Sequence, residues 1–148
     1  MITFREIKEE LSEELSDNFI AEQAPDMNLV KAKGAELVAR VFAARNAAHY
    51  AHLLTSSYAQ HIALGGFYDD VIPIADSFAE NLMGRFGRFE GFPNVKESSN
   101  DPLQIMGNLT KWVDSNRMAF EGISELQNII DELLSLTNST AYKIRELK

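Results

Sequence analysis

The sequence predicts an all-α protein: a four-helix bundle preceded by an additional acidic N-terminal helix. Three observations carry that class. Apolar residues recur at three- and four-residue spacing through long stretches, the pattern of helices that bury one face. Helix-start signatures stand where those stretches begin, at Thr3-Phe4-Arg5-Glu6, Ser57-Tyr58-Ala59-Gln60 and Asp101-Pro102. One extended connector, residues 87–100, holds Pro93 and the polar run Ser98-Ser99-Asn100.

The arm comes first. Phe4, Ile7, Leu11 and Leu15 form one stripe, so a short amphipathic helix is expected to about residue 20, packed by that stripe onto the bundle. Residues 1–26 carry Arg5 and Lys8 against Glu6, Glu9, Glu10, Glu13, Glu14, Asp17, Glu22 and Asp26, which is −6 of the chain's net −8. The chain therefore divides into an acidic arm, 1–26, and a bundle, 27–148. An acidic arm repels phosphate, and no lysine-rich tail offsets it, so no nucleic-acid partner is expected.

The bundle follows in order. From about Asn28 to Leu54, Val30, Leu37, Val41, Ala44 and Ala48 trace one face, with alanines from Ala43 to Ala51 suited to close helix approach. Thr55-Ser56-Ser57 turns the chain into a second helix, expected from Tyr58 to about Arg85. Gly65-Gly66 weakens that helix. Pro73 removes a backbone bond and clashes with the Asp69 carbonyl, which predicts a kink or break. After the connector, Leu103, Met106, Leu109, Val113 and Phe120 give a third helix, ended or bent by Gly122. The fourth runs from Ile123 toward Leu147, with fraying predicted at Asn138-Ser139-Thr140. Trp112, Phe42, Phe67, Phe78 and Phe86 are read as core or dimer-interface aromatics, and a two-fold interface lined by the second helix is expected to bury Phe67 and Phe78.

Composition excludes several classes. At 148 residues, with 45% hydrophobic and 24% charged residues, one ordinary globular domain is expected. Without cysteine there is no disulfide, thiolate metal site or cysteine nucleophile. No 18-residue apolar window predicts a membrane span, and the acidic N-terminus lacks an apolar signal region, so the expected location is cytoplasmic. No histidine has glutamate three residues before it, which removes the Glu-x-x-His di-iron motif. His-Glu-x-x-His, a phosphate-binding glycine loop and a G-x-S-x-G elbow are also absent.

What remains is a window with metal-ligand chemistry. His49 and His61 flank the predicted turn and are expected at one height on neighbouring antiparallel helices; His52 is read as solvent-facing. Asp76 and Glu80 are four residues apart and share a helix face. Fifteen residues of rise separate His61 from Asp76 by about 22 Å, too far for one metal within one chain. Around the helix the two differ by only about 60°, so an antiparallel second copy brings His61 of one chain level with Asp76 and Glu80 of the other.

The pattern His49-x11-His61-x14-Asp76-x3-Glu80, followed by glycines at Gly84 and Gly87, resembles the ferroxidase signature of the Dps-type mini-ferritins. The resemblance covers residues 28–88 by motif and the remainder by helix count. It implies a ferritin-like four-helix bundle, dimers that can build a larger shell, and a metal site between subunits. In such a site His49 and His61 bind Fe(II) from one chain while Asp76 and Glu80 come from its mate. Peroxide, the family's oxidant, takes the electrons and Fe(III) passes to a mineral store; Zn(II) fits the same ligands as a substitute. Gly65 stands where the family carries a further aspartate. The competing expectation is a ferritin-like scaffold without turnover, serving as a structural or protein-binding oligomer.

Overall fold

The computed structural model describes residues 3–23 and 25–148, with the side chains of 3–13 and 25–148. The described chain is all-helical: α1 (Phe4–Gln23), α2 (Met27–Leu54), α3 (Tyr58–Phe86), α4 (Pro102–Asn116) and α5 (Ser124–Glu146), with a 3-10 turn at Arg117–Phe120 before α5. Local chemistry sets the starts. Asp26 accepts from the N–H groups of Asn28 and Leu29, Ser57 from that of Gln60, and Asp101 from that of Gln104. Thr3 and Glu6 close the predicted capping box reciprocally. At Ser57 only half of the box forms. Gln60 turns its side chain to the Thr55 hydroxyl, which also accepts from the Ser57 N–H.

Side-chain contacts give the direction of each helix. His52 meets His61 and Gly34 meets Leu82, so α2 and α3 are antiparallel. Trp112 reaches back to Glu36, and Arg40 and Ala43 line a groove with Asn108 and Leu109, so α4 runs against α2. Arg85 pairs with Glu125 while Asp70 and Ser77 flank Glu132 and Ser139, so α5 runs against α3. Around the bundle the order is α2, α3, α5, α4, each antiparallel to its neighbours, with directions up, down, down, up along the chain. Residues 87–101 make the one long crossover, carrying the chain from beside the start of α2 back toward its middle.

The core lies between these four helices. Val30, Val41 and Ala48 of α2 face Leu64, Phe67, Val71, Phe78 and Leu82 of α3, and Ile105, Met106, Leu126 and Ile130 close it from α4 and α5. Phe78 meets Phe120 edge-on with centroids 5.3 Å apart. Gly34 marks the tightest approach, since a Cβ there falls 2.3 Å from Leu82 Cδ1. Leu82 has no exposed surface to retreat toward. Gly34→Ala is therefore expected to cost about 1–3 kcal/mol by overpacking, read as a fall of about 2–12 °C in a thermal melt. An unchanged melt would mean that α2 and α3 separate freely at this crossing.

Several expectations are corrected. α3 is continuous through Gly65-Gly66 and Pro73. Pro73 is on the exposed face, where the Asp69 carbonyl it leaves unbonded can be met by water, while Val71, Ile74 and Ala75 hold the same turn in the core. α5 is continuous through Asn138-Ser139-Thr140. Thr137 and Thr140 are buried, and the Thr137 hydroxyl donates to the Leu133 carbonyl. The third helix stops at Asn116, with Gly122 at φ 76° completing the turn. Phe67 and Phe78 are buried within the single chain, so they are not interface residues; Phe42 is exposed. The α1 stripe does not pack on the bundle: Phe4 is 84%, Ile7 44% and Leu11 51% exposed. Leu15 lies outside the described side chains.

A polar cluster joins α2 to α4. Glu36 Oε1 accepts from Trp112 Nε1 at 3.1 Å and from Arg40, and Oε2 accepts from Lys33. Burial pushes the Glu36 carboxyl up, but the hydrogen bonds and charges of Arg40 and Lys33 outweigh it and hold the carboxyl below its ordinary value of 4.5. A carboxylate lowered in the folded state stabilises above the unfolded value and loses that contribution as pH falls through the folded one. Acid titration from neutral to below that value should thus cost the wild-type protein more stability than Glu36→Gln. Trp112, the one tryptophan, reports the step by fluorescence, and equal acid limbs in both proteins would overturn the assignment.

Candidate functional site

The candidate site forms on the α2–α3 hairpin, where the sequence places every histidine. With only Thr55–Ser57 outside helix, His52 and His61 lie nearest across the turn. Their rings stack at 3.7 Å with planes 20° apart. Each engages the other's backbone: His52 Nδ1 lies 2.7 Å from the His61 carbonyl and His61 Nδ1 lies 3.1 Å from the His52 carbonyl. A carbonyl only accepts, so both Nδ1 atoms carry the hydrogen, and in the neutral imidazole each Nε2 is then the nitrogen with the lone pair. That tautomer is the one in which Nε2 can bind a metal while a carbonyl fixes the ring.

His61 is therefore matched with His52, not with His49 at the same height. His49 stacks on Tyr68 of α3 at 3.9 Å, and its ring stands edge-on to His52 at 6.0 Å. Arg45 continues the ladder, its guanidinium 5.5 Å over Tyr68 and its Nη1 on Asn46; its Nε is buried without a partner. His52, read from the sequence as solvent-facing, is half-buried in this ladder. The missed signal was register: three residues of turn bring the third residue from the end of α2 to the fourth residue of α3. Gly65 belongs to the same arrangement, since a Cβ there would lie 3.4 Å from His52 Cε1.

Asp76 and Glu80 are exposed on α3 beyond the ladder, on the flank that His61 shares. Among the described residues, no three His, Asp or Glu side chains of one chain converge to hold a metal ion. Chemically the single chain offers two carbonyl-oriented imidazoles, a third beside a phenol ring, and a separate carboxylate pair. Arg85, in the last turn of α3, pairs with Glu125 at the start of α5 and holds that carboxyl below its ordinary range.

Comparison with known proteins adds kinship. Residues 52–144 match the family described as "Family of unknown function (DUF5856)". The chain belongs to that family. The DUF5856 match begins at His52 and takes in the second half of the histidine ladder, α3, the crossover, α4 and most of α5, and leaves out α1 and His49. A protein of Enterobacteria phage T4, titled "Uncharacterized 14.6 kDa protein in mobD-ri intergenic region", is 27% identical over 111 residues, 74% of this chain and 86% of the phage protein. No solved structure matches the chain. No described helix is long and apolar enough to cross a membrane.

Proposed function

We propose that this DUF5856 chain is a ferritin-like protein that binds Fe(II) at a site shared by two copies and oxidises it there. The observation that carries the reading is the state of His61: its Nδ1–H is committed to the His52 carbonyl, which leaves Nε2 as a fixed ligand. Asp76 and Glu80 stand exposed on the same flank of α3, free to face a second copy. Two further features support it. Helix directions of up, down, down, up with one long crossover are those of ferritin-like bundles. An antiparallel pairing that sets His61 level with the partner's carboxylates puts its axis beside residues 68–71, where Arg45 leaves a buried Nε unpaired.

In this reading iron is the substrate. His49 and His61 bind it from one chain, Asp76 and Glu80 from the other, and His52 holds the His61 ring in place. Imidazole with carboxylate suits Fe(II), and Zn(II) competes for the same ligands. The test is anaerobic Fe(II) binding by the full chain, followed by peroxide and the appearance of Fe(III) absorbance. His61→Ala is expected to lower Fe(II) affinity by about 10–100-fold or more, with little change in the thermal melt because His61 lies at the hairpin end. Wild-type protein that binds neither Fe(II) nor Zn(II) at micromolar concentration sinks the proposal. The second reading, a scaffold without turnover, is favoured by one observation: at Gly65 the neighbouring space is filled by the His52 ring rather than by a carboxylate.

A further inference from the structure

Two exposed apolar surfaces have no partner among the described residues. One is the stripe Phe4, Ile7 and Leu11 on α1, which stays 84%, 44% and 51% exposed. The other is the tip of the α2–α3 hairpin, where Tyr50, Leu53, Leu54, Tyr58 and Ile62 are all more than half exposed. The tip is also unusual in sequence, because residues 46–68 contain no Asp, Glu, Lys or Arg. Exposed surface of this kind, uncharged and contiguous, is ordinarily covered in a soluble assembly. α1 needs cover equally, since an isolated helix of 20 residues is only marginally stable in water.

We infer that α1 of one copy caps the hairpin tip of a second copy. The inference rests on the two-fold pairing proposed above. Its register brings the partner's Leu82, and with it the partner's Gly34, level with Tyr58 of the first chain. The partner's Met27 then lies roughly 10 Å farther on, just past the tip, at ~1.5 Å per residue. α1 leaves from that point and folds back across the apolar patch. The same chain's own arm reaches the tip only at full stretch. The tip lies about 42 Å from its Met27, and with residues 24–26 fully extended Phe4 reaches roughly 42 Å while Ile7 and Leu11 stop at roughly 38 and 32 Å, short of Tyr58. Charge agrees with this placement. The described part of the arm carries Glu6, Glu9, Glu10 and Glu13 against Arg5 and Lys8, while α5 ends near the hairpin end of the bundle with Lys143, Arg145 and Lys148 against Glu146, which pairs with Arg145.

The absence of cysteine makes a cross-linking test clean. Ile7→Cys combined with Tyr58→Cys, both at exposed positions, is oxidised at micromolar concentration and run on a non-reducing gel. A disulfide-linked dimer is expected, on the order of a thousandfold more than for a control pair, Ile7→Cys with Asp114→Cys on the exposed face of α4, because docking replaces micromolar encounter with millimolar effective concentration. Sedimentation of the reduced variant separates the failures. A two-copy species that does not link overturns the docking while leaving the two-fold pairing in place. A monomer overturns both. A link confined within single chains, seen as a shifted monomer band, also overturns it, since the arm would then have reached its own tip.

Discussion

Phe67→Ala is expected to lower the unfolding free energy by about 3–5 kcal/mol, the cost of emptying a phenylalanine-sized space in a packed core. Phe67 has no accessible surface and lies among the buried side chains of α2, α3 and the other bundle helices. Against total stabilities of about 5–15 kcal/mol for domains of this kind, that loss is a fifth or more and moves a denaturant midpoint strongly. The same experiment decides where Phe67 works. A residue in the core of one chain gives the same loss at any protein concentration, whereas a residue buried between copies gives a loss that shrinks as mass action restores the dimer. Denaturation at two concentrations about a hundredfold apart should give equal shifts. Unequal shifts would return Phe67 to the interface.

The helix starts at Thr3, Ser57 and Asp101 were legible because a cap is local chemistry: each bonds to an N–H group three residues on, within reach of a short reading frame. The predicted interruptions of α3 and α5 failed for a tertiary reason. Gly65 and Pro73 are poor helix formers taken alone, but the ring of His52 packs over Gly65 and buried neighbours hold the turn around Pro73. Thr137 looks like a weak helix former until its hydroxyl is seen bonded to the Leu133 carbonyl inside the core. The pairing of His52 with His61 depended on the length of the turn, and moving the turn by one residue changes which imidazoles meet. Glu36 and Trp112 lie 76 positions apart, and no periodicity in either helix indicates that contact. Amphipathicity showed that α1 has an apolar side, but not what covers it.

Mixing two damaged chains is expected to rebuild a working site. His61→Ala removes an imidazole and Glu80→Gln removes a carboxylate charge, so each variant alone should lose tight Fe(II) or Zn(II) binding at both sites of its dimer. In a mixed dimer the damage is unequal. One site joins the altered imidazole set of the first chain to the altered carboxylate pair of the second. The other joins intact His49 and His61 of the Glu80→Gln chain to intact Asp76 and Glu80 of the His61→Ala chain. Random pairing makes about half the dimers mixed, so co-refolded protein should bind about one ion for every four chains, against about one per chain in the wild type. A site built within one chain predicts no recovery, since every chain still carries a lesion. The ~22 Å of helix between His61 and Asp76 makes the within-chain alternative geometrically costly, and the exposure of both carboxylates leaves them free for a partner. Recovery near one quarter supports the shared site, and no recovery beside a wild type that binds well rejects it. If wild type binds no ion, the scaffold reading takes its place, with the histidine ladder serving to hold α2 against α3.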